Sequence, residues 1–403
     1  MMKPTRRDIL QYSALGAVLQ QSVFSQTRKS AGPAKYLILA CDGGGMRGYL
    51  SSLILQRLNS ECGILGEANG NVDLYAGTST GGLIALGLAQ GKSIDDVVTL
   101  YQNAGAQIFS PLGVQLTCAG AVAGCTSPIQ NDPANGDTAS AKELFQALFD
   151  NIGDPSLLSV LEAFIPEDPV LSSLPSKVMV ATFQLADPAA NPAIWSPLVI
   201  DNFDGSAGAN TRLFDAALAT SAAPVYFPPY CHPQFGWCSD GGLFANNPAA
   251  LAVSLAIQQG RSLSNIAVLS IGTGKTSANI VPTLSDRLCF GVNRWASLKG
   301  HDSTPTFPLL NAMMDGVSDS THALCSQLLG GGGPNGRYMR LNPALPASVA
   351  LDDYSPETMQ MFEQTAEAYF DSPDWAQVVQ WAKSTFVKLT PVRGSRVPPA
   401  LIG

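Results

Sequence analysis

Apolar residues fall into short, nearly continuous runs bounded by Gly, Asp or Pro: YLILA at 36–40, VDLYAG at 72–77, KVMVATFQL at 177–185, NIAVLSIGTG at 265–274 and YMRLN at 338–342. Runs of this length without polar alternation predict strands covered on both faces. Between them, apolar residues recur at helical spacing in YLSSLILQRLNSECG (49–63), TGGLIALGLAQG (80–91), SAKELFQALFDNIG (140–153) and NPAALAVSLAIQQG (247–260). Each of these closes on a glycine suited to cap the last turn. Strand and helix alternate, which predicts an α/β domain with a mainly parallel sheet covered by helices. The stretch SPETMQMFEQTAEAYFDSPDWAQVVQWAKSTFVKL (355–389) predicts two amphipathic helices packing on the sheet edge. Two turn-rich segments, 110–140 and 275–310, interrupt the rhythm. The first reads as a lid or substrate flap, or equally as a plain surface insertion.

Composition agrees with one large domain: 46% of 403 residues are hydrophobic and 13% charged, enough for a sizeable core. The net charge of -8, with no basic block beyond Arg6-Arg7, excludes an electrostatic nucleic-acid surface and leaves any membrane contact to apolar side chains. Arg6-Arg7 precede a short apolar stretch at Ala14–Leu19, the layout of a twin-arginine signal over 1–30. That stretch is too short and too rich in Gln to be a transmembrane segment. Export to the periplasm or medium is therefore expected, with the cytoplasm the alternative if the segment is a frayed terminus. Cys118 with Cys125, and Cys231 with Cys238, bracket short loops in which a local disulfide is geometrically easy. Cys289 and Cys325 are long-range candidates, and Cys41 and Cys62 read as buried thiols. His232, His301 and His322 are the only histidines, and no Cys/His spacing matches a zinc site.

The sharpest chemical signal is VDLYAGTSTGGLIALGLA, where a strand ends at Gly77, Ser79 follows and a helix starts at once. This is G-x-S-x-G in its strand-turn-helix context, with Gly77 and Gly81 permitting the turn that projects a serine oxygen. The helix N-terminus favours negative charge developing nearby. For a base, the three histidines lie in turn-rich, irregular or helical surroundings and read as structural or surface residues. Asp240, in CSDGGLFANNP, stands before two glycines that let the backbone approach another loop closely. In a dry site its carboxylate gains basicity and can take a serine proton directly. Taken alone, Asp240 reads as an Asx-turn or N-cap aspartate.

In DGGGMRG (42–48), Gly43, Gly45 and Gly48 match the dinucleotide pattern G-x-G-x-x-G. Such a site needs an acidic residue at the end of the next strand, but that strand ends at the serine turn, and Glu61 falls inside a helix. Asp42, directly before the glycines, would also repel a phosphate. Amides of small residues equally suit an oxyanion hole, and both glycine turns end parallel strands on one sheet edge. Acyl transfer is the chemistry this pairing supports.

With DGGGMRG at 42–48, GTSTGG at 77–82, ATSAAPVYFPPY at 219–230 and DGGLFANNP at 240–248, the chain resembles the patatin-like phospholipase family over about 36–345. The resemblance implies a three-layer α/β/α sandwich with a mainly parallel central sheet, a domain over 35–345 and a C-terminal helical extension over 346–403. It implies a dyad of Ser79 as nucleophile and Asp240 as base, without metal or other cofactor. Gly43, Gly44 and Gly45 would supply the oxyanion hole, with Arg47 assisting it, steadying the loop or forming a plain ion pair. The implied partner is a lipid at a membrane surface, cleaved at a fatty-acyl ester of a phospholipid or other glycerolipid. A Ser-His-Asp esterase, an acyltransferase and a non-catalytic lipid-binding protein remain alternatives.

Overall fold

All five apolar runs form strands. Strand β1 (Tyr36–Cys41) leads through α1 (Gly48–Cys62) to β2 (Leu74–Thr78), then α2 (Thr80–Gln90), α3 (Ile94–Ile108) and α4 (Ser156–Phe164) precede β3 (Val178–Ala186). Next come β4 (Ser196–Asp201), α5 (Leu213–Ser221), β5 (Tyr230–His232), β6 (Gly236–Asp240) and the single turn α6 (Gly242–Ala245). Then follow α7 (Ala249–Gln258), β7 (Ile266–Ile271), β8 (Lys275–Thr276), α8 (Pro308–Leu329), β9 (Tyr338–Leu341), β10 (Ala344–Leu345), α9 (Pro356–Phe370) and α10 (Pro373–Thr385). The computed structural model describes residues 36–108, 156–186, 195–224, 226–276, 295, 307–331 and 336–386. The signal segment, the 110–140 insertion with Cys118 and Cys125, the helix predicted over 140–153, most of 275–310, Cys289 and His301 lie outside the described residues.

The parallel core runs β3, β2, β1, β7, β9, every neighbouring pair parallel. Its apolar continuity has a direct cause, because each strand is covered on both faces. Leu37, Leu39 and Cys41 of β1 pack with Leu50, Ile84 and Val97 of α1, α2 and α3. Tyr36, Ile38 and Ala40 pack with Ala252 and Val253 of α7 and with Cys325 and Leu329 of α8. The result is the α/β/α sandwich. Each large aliphatic side chain buried this way contributes about 1.5–3 kcal/mol.

The sheet is mixed, because β4, β5 and β6 are antiparallel additions that apolar continuity does not reveal. Their geometry creates the site. Strand β4 runs along one side of β3, from Met179↔Asp201 to Gln184↔Ser196. On the other side, β2 pairs up to Thr78↔Ala181, and β6 takes over at Thr182↔Asp240. Since β2 is parallel to β3 and β6 antiparallel, their C-terminal ends meet head-on there. The residue after Thr78 is thereby brought beside Asp240.

Several expectations are corrected. Cys231 lies opposite Trp237, and Tyr230 opposite Cys238. This offset of one residue puts the two thiols on opposite faces, so Cys238 is buried, Cys231 exposed and both free. Cys325 is also free and buried, whereas Cys62 is only partly buried. The C-terminal helices pack on α1 rather than on the sheet edge: Tyr49 Oη donates to Glu363 Oε1 (2.8 Å), and Trp375 Nε1 to Glu61 Oε1 (3.3 Å). Contact near the edge strand is made by Trp381, whose Nε1 donates to Gly336 O at 2.7 Å.

Candidate active site

Ser79 occupies a backbone conformation that side chains avoid, φ 53° and ψ −126°. Such a residue is strained by on the order of 1–3 kcal/mol and persists only when its surroundings hold it. Here its N–H donates to Thr220 Oγ1 (3.0 Å), whose hydroxyl in turn donates to Ala181 O (2.5 Å). Its carbonyl accepts from Leu83 N (3.1 Å), starting α2. The flanking glycines are required by close packing. A Cβ on Gly77 would sit 2.1 Å from Gly81 O, and one on Gly81 2.1 Å from Cys41 O.

Asp240, at the end of β6, is 3% exposed. Its N–H donates to Ala222 O (2.9 Å), and its Oδ1 accepts from Gly242 N (2.6 Å). Oδ2 is buried with no partner at standard hydrogen-bond length. Burial pushes the carboxyl up to about 6, while the neighbouring Ser79 hydroxyl and the Gly242 amide pull it back. Thr78 Oγ1 donates to Ala245 O (2.6 Å), tying the serine turn to the turn after Asp240.

The glycine loop lies against both. Gly43 N donates to Asn246 O (3.0 Å), so this amide is already committed and does not serve an oxyanion. Among the described residues, the amides of Gly44 and Gly45 donate to no acceptor. Arg47 is buried, and its Nε (3.3 Å) and N (3.2 Å) both donate to Gly44 O. Burial pulls its guanidinium down, opposed chiefly by the charge of Asp315. The side chain thus braces the loop.

Asp42, read from the sequence as a charge that would repel a phosphate, is buried and paired. Arg340 of β9 grips it through Nη1–Oδ1 (2.6 Å) and Nη2–Oδ2 (2.5 Å), and Ser318 Oγ donates to Oδ2 (3.2 Å). Both side chains of the ion pair are buried. Arg340→Met is expected to destabilise the fold by about 3–5 kcal/mol, because Asp42 is left buried and uncompensated. Urea denaturation should show the loss, and adding Asp42→Asn should recover most of it.

Ser79, Asp240 and Gly45 line one cavity whose other walls are mainly apolar, including Met46, Leu83, Leu157, Phe227, Leu310 and Met314. Among the described residues, no histidine lines it. Amides of Gln234 (3.1 Å) and Phe235 (3.2 Å) donate to His232 Nδ1, which fixes that ring in the β5–β6 turn. His322 faces Tyr338, with Nδ1 3.4 Å from the hydroxyl. Sequence reasoning missed Thr220 as the clamp on Ser79, although it sits in the ATSAAP stretch. Nothing local signals that its hydroxyl reaches a residue 141 positions away. The Asp42–Arg340 pair is missed for the same reason.

The family model described as Patatin-like phospholipase matches residues 39–253. Protein teg of Priestia megaterium is 28% identical over 329 residues, spanning 77% of this chain and 89% of that protein. The cGAMP-activated phospholipase of Escherichia coli is 28% identical over 264 residues, 61% of this chain and 64% of that protein, so the match spans less than two thirds of its length. Patatin-17 of Solanum cardiophyllum is 24% identical over 396 residues, covering 87% of this chain and 89% of that protein.

Proposed function

The chain belongs to the patatin-like phospholipase family and is a carboxylic ester hydrolase; on that premise we propose that Ser79 and Asp240 form a dyad cleaving fatty-acyl esters of phospholipids or other glycerolipids. Asp240 Oδ2 takes the hydroxyl proton as Ser79 Oγ attacks the ester carbonyl, and the amides of Gly44 and Gly45 face the resulting oxyanion. Collapse breaks the ester bond, and the departing alcohol takes the proton from Asp240. A water that gives its proton to Asp240 then attacks the acyl-serine. The fatty acid leaves, and the proton returns to Ser79. The apolar cavity accommodates the acyl chain.

The observation that carries this reading is the meeting of β2 and β6 on β3, which sets a strained serine beside a buried carboxylate at an apolar cavity. With the Asp240 carboxyl near 6, kcat/KM is expected to rise with pH through about 6 and to fall about tenfold per unit well below it. A pH–rate profile with a soluble ester checks this. A profile still climbing at pH 8 would assign the base elsewhere.

A fluorophosphonate probe is expected to label wild type at Ser79, located by peptide mass, and to leave Ser79→Ala unlabelled. A wild type that is neither labelled nor active on any acyl ester would overturn the reading. Arg6-Arg7 and the apolar stretch after them support a further part of it, export across the membrane to the periplasm or medium, where lipid surfaces are the partner.

A further inference from the structure

The glycine loop holds two consecutive peptide units, Gly43–Gly44 and Gly44–Gly45, and each has its carbonyl end pinned. Gly43 O accepts from Asn246 Nδ2 (3.3 Å) and from Thr273 Oγ1 (3.2 Å). Gly44 O accepts from Arg47 N (3.2 Å) and Nε (3.3 Å). A trans peptide unit is planar, with its C=O and N–H pointing in opposite directions. Donors gripping the Gly43 carbonyl therefore also set the direction of the Gly44 N–H, and the same grip on the Gly44 carbonyl directs the Gly45 N–H.

We propose that Asn246 and Thr273 are positioning residues that aim the Gly44 amide at the oxyanion by holding the far end of its peptide plane. This rests on the acyl-transfer reading of the same site. Both side chains are buried, and they reach the loop from separate elements: Asn246 follows α6, and Thr273 follows β7. Asn246 grips Gly43 twice, since its backbone carbonyl also accepts from Gly43 N at 3.0 Å. Its Nδ2 is further shared with Ser318 Oγ (3.0 Å), whereas its Oδ1 is buried without a partner. Thr273 also packs against the loop, for a Cβ on Gly44 would lie 2.4 Å from Thr273 Oγ1. The loop has no room to turn its peptide over on that side. Glycine would otherwise leave these planes free to rotate, which is why they need external donors.

Thr273→Val keeps the shape and removes one donor. Expected is a fall in kcat of about tenfold with KM within about twofold of wild type, since an aimed amide matters in the transition state rather than in substrate binding. Phosphonylation by the fluorophosphonate should slow in parallel, the pH midpoint set by Asp240 should not move, and Thr273→Ser should restore kcat. Should Thr273→Val lose its melting transition, Asn246→Leu removes the second donor to the same carbonyl and is read the same way. A folded Thr273→Val with wild-type kcat, or with a raised KM and unchanged kcat, overturns the proposal. So does a Thr273→Ser variant as slow as Thr273→Val. Ser79→Ala in the same assay separates the two readings. If it is inactive while Thr273→Val is unimpaired, the positioning fails alone; if Ser79→Ala turns over normally, the dyad fails and the positioning with it.

Discussion

Ser79→Ala is expected to lower kcat by a factor on the order of 10⁵ or more, because it removes the hydroxyl on which we propose the acyl-enzyme forms. On the proposed mechanism, the residual rate would come from the cavity and the Gly44 and Gly45 amides. Folding should be unaffected. Alanine keeps the Cβ and the φ of 53°, and the backbone N–H remains tied to Thr220 Oγ1. Ser79→Gly extends the test to the strain itself. It should be equally inactive yet more stable than Ser79→Ala by about 1 kcal/mol, since glycine adopts this conformation without steric cost. Single-turnover kinetics and thermal melts on the three proteins measure both effects. An unchanged kcat in either variant would remove Ser79 from the mechanism.

Asp240→Asn is expected to cost about 10³- to 10⁴-fold in kcat while raising stability. The amide keeps an oxygen for Gly242 N but cannot accept the serine proton. The stability gain follows from the raised carboxyl, about 6 when folded against 3.8 as the ordinary value. Between these values the folded state binds the proton more tightly than the unfolded chain does. This carboxyl is therefore tolerated best below 3.8, and stability declines as pH rises through the window to about 6. Above it, charged Asp240 costs on the order of 3 kcal/mol, the penalty of holding a carboxylate away from water. Asn should relieve that penalty at pH 8 and leave stability nearly unchanged at about pH 3.5, where the carboxyl is protonated. Urea midpoints at the two pH values test the sign, and equal shifts at both would separate the stability effect from the charge.

Much of this was legible from sequence, for a local reason. A strand covered on both faces has to be apolar at every position, so YLILA and NIAVLSI announce the parallel core, and a glycine-flanked serine between strand and helix has few other conformations open to it. The antiparallel strands left no such mark. β4 is half-covered and contains a proline, β5 is only three residues long, and β6 carries Gly, Ser and Asp among its five. The Cys231–Cys238 expectation failed because spacing along the chain carries no register.

By itself, then, the sequence determined the mainly parallel sheet covered by helices, the serine turn and the three glycine-bearing loops, all consequences of what neighbouring residues can do. Only the tertiary structure decided how Ser79 and Asp240 come together, with β2 and β6 ending against Ala181 and Thr182 of one strand. It alone decided that Gly43's amide is spent on Asn246, that Arg47 braces its own loop and that Asp42 belongs to Arg340. The physical reason is the same throughout: a hydrogen bond or ion pair depends on distance in space, and residues far apart in the chain carry no local trace of their partners.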